Sequence, residues 1–229
     1  MARLPLGPAL RVRFNRRLSP RSVNRATVSV TSGGLSVFGG VRYDPVLRDV
    51  WYQPNPGELR QGLEYVLTVR STVTSWDGVL LGRDHEVHFI PQGRAGDPPL
   101  PQGSLARDIA PLFLVRCVDA GCHGSVAPAL GLDLSSPEAI RRTAVGVAAR
   151  QRPAPGPAGV TVTDPHWGPL ARVDPGVTAG QGRPEYSYLL YKLLGDGPVV
   201  GSRMPLGREP LAEAELSRVS SWIAAGAPP

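Results

Sequence analysis

Residues 105–123, LARDIAPLFLVRCVDAGCH, decide how the second half of this chain is interpreted. Apolar residues recur at helical spacing up to Phe113, which predicts a helix that runs into Cys117. Cys117 and Cys122 are the only two cysteines in 229 residues, and His123 follows the second one directly. The sequence therefore places two thiols and an imidazole together at the end of a helix.

The spacing C-x4-C-H is compatible with several kinds of site. In the commoner c-type haem motif, C-x-x-C-H, two thiols bond to the porphyrin and the adjacent His binds iron. A longer insert can loop outward while both thiols keep their reach. A disulfide across so short a loop would contribute little loop entropy and would leave His123 without a role. A structural zinc site needs four ligands and only three are local, and a pair of buried structural thiols also stays open.

Met204 is the second candidate ligand for an iron atom. It is the only methionine besides Met1, and it lies in the loop-like stretch GSRMPLG. A c-type haem held by His on one side commonly takes a Met thioether on the other. His166, in DPHWGP, is an alternative axial ligand. The Pro and Gly residues around it, however, indicate simple turn chemistry, and Met204 already supplies the site.

The second half is otherwise predicted to be a small, loop-rich, mostly α domain. Ser136 and Pro137 have the residue types of an N-cap and a first helical position. Three further helices are predicted at 136–150, 186–194 and 211–223. Phe113 and Trp222 are candidates either for lining a haem pocket or for the contact between the first and last helices.

Residues 10–90 follow a different pattern, in which apolar and polar residues alternate in short runs separated by turn clusters. The alternating apolar residues are Leu10, Val12 and Phe14, Val28 and Val30, Val50 and Tyr52, Tyr65, Leu67 and Val69, and Val87 and Phe89. A period of two indicates strands with one buried face, and many short strands predict a β-sandwich. Residues 91–103 are rich in Pro and Gly and are predicted to link this domain, 1–90, to the second, 104–229.

Three motifs of the first half occur in an order that identifies a family. They are SVN at 22–24, YDP at 43–45 and G-x-x-Y-x-L-x-V at 62–69. In this order they resemble bacterial Ig-like domains of the S-layer type, and the resemblance covers residues 8–90. It implies a spacer or adhesive module of an exported protein, without catalytic residues.

The second half carries its own set of motifs, CVDAGCHG, LDLSSPEA, GSRMPLG and WIAAGAP. Together they resemble small bacterial cytochrome c domains over residues 104–229. The resemblance implies that Cys117 and Cys122 hold one covalent haem c, with His123 as the proximal iron ligand and Met204 as the distal one. The departures are the four-residue spacing between the cysteines and a Pro-rich insertion at 153–159.

Charge and hydropathy exclude some classes of partner and bear on location. The net charge is +6, but the basic residues are scattered, and no nucleic-acid motif occurs. No apolar run of about 18 residues is present, so no transmembrane segment is predicted. The first residues lack the apolar core of a signal peptide. Covalent haem and Ig-like domains belong outside the cytoplasm, so we expect a periplasmic or cell-surface protein, associated with the cell envelope and exported by a signal upstream of Met1.

These expectations combine into one interpretation with two alternatives. The predicted fold class is multi-domain, an all-β Ig-like sandwich followed by a small, mostly α, loop-rich cytochrome c-like domain. The predicted function is one-electron transfer with redox partner proteins rather than catalysis. One alternative is a haem-free adhesive surface protein with a Cys117–Cys122 disulfide. The other is the haem subunit of a peroxidase or another oxidoreductase.

Overall fold

The computed structural model describes most of the chain, and the described residues are 2–5, 9–92, 103–151, 160–164, 168–197 and 199–229. They divide into two compact units, Met1–Pro99 and Leu100–Pro229. Most of the predicted linker at 91–103 lies outside the described residues, as do the Pro-rich insertion at 153–159 and His166.

The first unit is built from strands that form two sheets. They are β1 (Ala2–Pro5), β2 (Leu10–Arg13), β3 (Val28–Ser32), β4 (Leu35–Ser36), β5 (Gly39–Asp44), β6 (Asp49–Pro54), β7 (Tyr65–Val69) and β8 (His85–Gln92). One sheet has the order β1-β8-β7-β3-β4 and the other β2-β6-β5. Neighbouring strands are antiparallel, except that β1 runs parallel to β8.

The alternating residues of the sequence supply the buried face of these strands. In β3, Val28 and Val30 are buried and lie opposite Val69 and Leu67 of β7. Buried residues of both sheets belong to one apolar cluster, since side chains that alternate along a strand bring every second residue to the same face. The period-two pattern thus predicted β2, β3, β6, β7 and β8, although Val87 of β8 is 44% exposed rather than buried.

The second unit contains helices, short strands and long connections. Its helices are α1 (Ala110–Cys117), α2 (Pro137–Thr143), α3 (Tyr188–Leu194) and α4 (Glu213–Ala224), and a π-helical turn, Leu105–Ile109, leads into α1. Its strands are β9 (Arg150–Gln151), β10 (Val160–Thr161), β11 (Thr163–Asp164) and β12 (Gly168–Pro169). β9 pairs with β10 and β11 with β12, both antiparallel.

The core of this unit lies where α4 packs against the π-helical turn and α3. Ile109, Phe113 and Trp222 are all fully buried. The Trp222 indole Nε1 donates a hydrogen bond to the carbonyl oxygen of Pro228 at 2.8 Å, which satisfies the one polar atom of this side chain. Phe113 and Trp222 are therefore core residues of the second unit.

The predicted fold class is wrong. The described residues form a mixed fold, 24% helical and 26% strand, with four sheets spread over both units. The structure is therefore not an all-β Ig-like sandwich followed by a mostly α cytochrome c-like domain. The helix predicted at 136–150 ends at Thr143. Beyond it the chain forms isolated β-bridges instead, Val145 to Val173 and Ala148 to Ala171.

The chemistry of the backbone explains this difference. Gly146 has a φ of 70°, a left-handed conformation that no helix interior contains and that glycine adopts without steric cost. Without a helix, buried N–H and C=O groups need other partners. The Ala149 N–H donates to the Leu170 carbonyl oxygen at 2.8 Å, and the Arg172 N–H donates to that of Val147 at 2.7 Å.

The beginning of α2 provides a test of local stability. Ser136 is extended, and its hydroxyl accepts a hydrogen bond from the Ala139 N–H at 3.1 Å, as the sequence predicted. Ser136→Ala should lower the free energy of unfolding of this unit by about 1 kcal/mol, because the Ala139 N–H loses its acceptor. Chemical denaturation measures the change. Ser136→Asp restores an acceptor and should recover most of the loss, whereas equal destabilisation by both variants would contradict the cap.

Candidate functional site

The loop Cys117–His123 leaves the end of α1 and closes as a tight turn. The Cys122 N–H donates to the Asp119 carbonyl oxygen at 3.0 Å, and the His123 N–H donates to that of Cys117 at 3.2 Å. Gly121 has a φ of 78° at the third position of this turn, where glycine is the favoured residue. The turn therefore carries Cys122 and His123 back to the end of the helix that bears Cys117.

Both thiols of the loop are free. Cys122 is exposed, whereas Cys117 is partly buried. Burial raises the pKa of Cys117 to about 11, although the positive charges of Arg116 and Arg208 lower it in part. Cys117 is thus a protonated thiol at neutral pH.

The imidazole of His123 is held by a main-chain carbonyl group. Its Nδ1 atom lies 3.0 Å from the carbonyl oxygen of Leu132. Because a carbonyl oxygen only accepts, Nδ1 must carry the hydrogen, and the lone pair of the ring is then on Nε2. Burial lowers the pKa of His123, and the charges of Arg172 and Lys192 lower it further, while the bond to Leu132 acts in the opposite direction. A neutral imidazole with Nδ1 held in this way is the usual form of a metal-binding His.

A buried arginine positions the turn just before Leu132. The Arg172 guanidinium donates to the carbonyl oxygens of Leu130 at 2.6 Å, Gly131 at 2.9 Å and Thr143 at 2.6 Å. Leu130 has a positive φ of 52°, which costs energy for a residue other than glycine and needs external support. Arg172 supplies that support and so fixes the acceptor of the His123 bond.

Met204 lies on a loop that Lys192, the only lysine of the chain, holds in place. The Met204 N–H donates to the Lys192 carbonyl oxygen at 2.9 Å. The Lys192 ammonium group donates to the carbonyl oxygens of Val200 at 3.1 Å and Ser202 at 2.5 Å. Met204 itself is half-buried. The side chain and the main-chain carbonyl group of Lys192 therefore both hold the loop on which Met204 lies.

Two arginines join the segment after Met204 to the end of α1. The Arg208 guanidinium donates to the Val115 carbonyl oxygen at 3.2 Å and pairs with the carboxylate of Asp119. The Arg116 guanidinium donates to the Pro210 carbonyl oxygen at 3.2 Å. The structure therefore places the segment that follows Met204 against the loop with the two thiols.

Exposed apolar side chains flank the four candidate donors along the chain. Leu114 and Val115 precede Cys117 and are 51% and 71% exposed; Val126 follows His123 and is 86% exposed; Leu206 follows Met204 and is 64% exposed. Single exposed apolar residues are ordinary. These four lie within three residues of a candidate donor along the chain, which makes them candidates for covering by a ligand.

Sequence reasoning named the four donors but missed the residues that position them. Lys192 carried a visible signal, because a single lysine among many arginines suggests a position where a flexible ammonium group is needed. Nothing in the sequence distinguishes Arg172 or Arg208 from the other arginines. Their partners are largely main-chain carbonyl groups, which every residue offers.

Removing the Lys192 ammonium group should loosen the Met204 loop. In Lys192→Met the carbonyl groups of Val200 and Ser202 lose a charged donor, while the length of the side chain is kept. We expect the Met204 amide to exchange its hydrogen about tenfold faster, which corresponds to about 1.4 kcal/mol of lost local stability. Amide exchange read by NMR measures it. Arg218→Gln, which removes an exposed charge on α4, should leave that rate unchanged, and equal rates in wild type and Lys192→Met would contradict the role of Lys192.

Comparison with known proteins assigns this chain to no family. Within the described residues no three His, Cys, Asp or Glu side chains are grouped so that they could hold a metal ion. No helix of the described chain is long and apolar enough to cross a membrane. The sequence matches no protein-family model and no curated protein.

Proposed function

We propose that the protein binds one haem c and passes single electrons to and from redox partner proteins. Cys117 and Cys122 would hold the haem covalently, and His123 and Met204 would bind its iron. The observation that carries the proposal is the hydrogen bond from His123 Nδ1 to the Leu132 carbonyl oxygen. It leaves Nε2 of a neutral imidazole as the donor atom, on the residue that follows Cys122 and whose N–H bonds to the Cys117 carbonyl oxygen.

The donor set fits a haem better than a single metal ion. Attachment needs two reduced thiols at the two ends of one short loop, and Cys117 and Cys122 are free and stand at those ends. A soft thioether and an imidazole nitrogen are the pair that c-type electron carriers use. The exposed apolar residues beside the donors, such as Val115 and Leu206, offer the surface that a porphyrin ring would cover.

When bound, haem supplies a one-electron couple between Fe(II) and Fe(III). The residues of this chain would decide whether the reduction potential of that couple is raised or lowered. The Met204 thioether would favour the reduced state of a bound haem, because a soft sulfur donor prefers Fe(II). If His123 and Met204 both hold the iron, they would leave no position for oxygen or peroxide, and electron transfer would be the favoured activity.

We also propose that the protein resides in the periplasm or at the cell surface, because thioether attachment of haem takes place outside the cytoplasm. The β-rich first unit would then serve as a spacer or docking module within the cell envelope. Fractionation of cells that express the complete gene tests this location. Recovery of the mature protein from the cytoplasm alone would contradict it.

Haem staining after denaturing electrophoresis tests the central proposal. The full chain, exported in cells that carry a c-type attachment system, should show one stained band, and its spectrum in alkaline pyridine should give one haem per chain. The same cells without that system are the control. A chain that remains unstained, with both cysteines open to alkylation, while another c-type cytochrome made in those cells is stained, would overturn the proposal.

A further inference from the structure

A concave site lies in the second unit, and none of the four candidate donors lines it. It has a volume of about 400 Å³ and is formed by the turn at Leu130 and Gly131, the end of α2, and residues from 147 to 150. This volume is within the range of pockets that bind small molecules. Three arginines line it, Arg142, Arg150 and Arg172, and none of its described lining residues is acidic.

The positive charge in this pocket is poorly compensated. Arg172 is only 7% exposed, and its described partners are neutral carbonyl groups rather than carboxylates. Burial lowers the pKa of Arg172, and the charge of Arg150 lowers it further, so the two guanidinium groups act on each other. A buried charge without an opposite charge is costly, which makes an anion a favourable occupant.

The nearest acidic group compensates Arg142 only weakly. The Asp133 carboxylate lies 3.9 Å from the Arg142 guanidinium, beyond hydrogen-bond distance. One of its oxygens already accepts from the Ser135 hydroxyl at 2.6 Å and from the Ser135 N–H at 2.9 Å. Arg142 is 72% exposed and can turn towards a ligand in the pocket.

We infer that this pocket binds a small organic or inorganic anion with two or more carboxylate or phosphate groups. Arginine presents a planar fork of N–H donors that matches carboxylate and phosphate oxygens in pairs. Arg142 and Arg150 reach in from the solvent side, and Arg172 supplies fixed charge from within. The apolar lining residues, Val147 and Ala148, offer no group that would compete with an anion for the arginines.

Arg172 lines this pocket and also holds the turn that precedes the His123 acceptor, whereas Arg142 and Arg150 make no described hydrogen bond to that turn. Variants of Arg142 and Arg150 therefore test anion binding separately from haem attachment. Direct titration distinguishes a carboxylate ligand from a phosphate ligand.

Calorimetric titration of the full chain tests the inference, with citrate in one arm and pyrophosphate in the other, at low ionic strength. We expect saturable binding at one site, tighter for the anion of the preferred class. Arg150→Gln should weaken it about tenfold, because one charge-assisted pair is lost, and Arg142→Gln with Arg150→Gln should weaken it about a hundredfold. These two arginines are exposed, so their replacement leaves the Arg172 contacts that support the fold intact.

Arg141→Gln is the matched control, because Arg141 lies on α2 beside Arg142, is exposed, and does not line the pocket. It should bind both anions as the wild type does. Absence of saturable binding of either anion to the wild-type chain would overturn the inference. Equal weakening by Arg141→Gln and Arg150→Gln would overturn it too, since the binding would then reflect net charge alone.

Discussion

Replacement of both Cys117 and Cys122 by Ala should yield a chain that carries no haem after denaturation. The two thiols are the only ones in the sequence, so no other side chain can form the thioether bonds. The expected change is from one covalent haem per chain to none. Haem staining and the pyridine spectrum measure it, and circular dichroism checks that the fold is retained.

The single variants should differ because the two thiols differ in burial. Cys122 is exposed, so Cys122→Ala should remove one thioether with little effect on folding. Cys117 ends α1 and is partly buried, so Cys117→Ala should remove the other and also lower stability slightly. Each single variant should keep a weaker haem band with a shifted absorption spectrum, because one vinyl group of the porphyrin remains unreacted.

Ala120→Ser is the matched control for the cysteine variants, because it changes an exposed side chain of the same loop without touching a donor. It should keep one covalent haem. Covalent haem that persists in the double variant would show that the attachment lies elsewhere. If the double variant no longer folds, Cys122→Ala, at an exposed position, provides the test. An unchanged haem band and spectrum in that variant would show that Cys122 does not hold the haem.

The elements that the sequence predicted correctly are those whose signals are local. Alternation at Val28 and Val30 predicts a strand, because side chains of a strand point to opposite faces whatever the partner is. The cap at Ser136 depends on an N–H three residues away. The fold class depended on which strands pair and on how far α2 continues. Neither is local, and the Pro- and Gly-rich stretch from 151 to 183 has no period from which the short strands could be predicted.

The candidate site divides in the same way. The loop Cys117–His123 could be proposed from the sequence because two thiols and an imidazole stand within seven residues of each other, and its attachment of haem stays a prediction. The acceptor of the His123 bond, Leu132, lies nine residues further on and offers only a main-chain oxygen, so residue type says nothing about it. The hydrogen bonds from the Arg172 and Lys192 side chains likewise end on main-chain carbonyl groups, so only the structure shows them.

Met204→Leu should lower the reduction potential of the haem protein and open its iron to peroxide. Leucine has nearly the volume of methionine, so packing is largely kept while the sulfur donor is lost. A soft thioether favours Fe(II), and its loss removes that preference. We expect the potential to fall by on the order of 100 mV, well inside the roughly 0.8 V that axial ligands can span. Redox titration measures it.

Three readings together separate loss of the ligand from a general disturbance of the loop. Met204→Leu should lose the sulfur-to-iron charge-transfer band, show the lower potential, and gain peroxidase turnover that the wild type lacks. Ser202→Ala, two residues before Met204, changes an exposed side chain and keeps the main-chain carbonyl group that Lys192 holds, so it should keep the band and the potential.

The same measurements decide between an electron carrier and an enzyme. If the wild type lacks the charge-transfer band and Met204→Leu changes nothing, Met204 is not a ligand, and His166 or water takes that position. A wild-type iron that already turns over peroxide would then make catalysis the better account of the function. If the band is present and peroxide turnover appears only in the variant, the Met204 thioether occupies the iron position that peroxide would need. The hydrogen bonds of Lys192 and Arg208 would then serve to keep Met204 in that place.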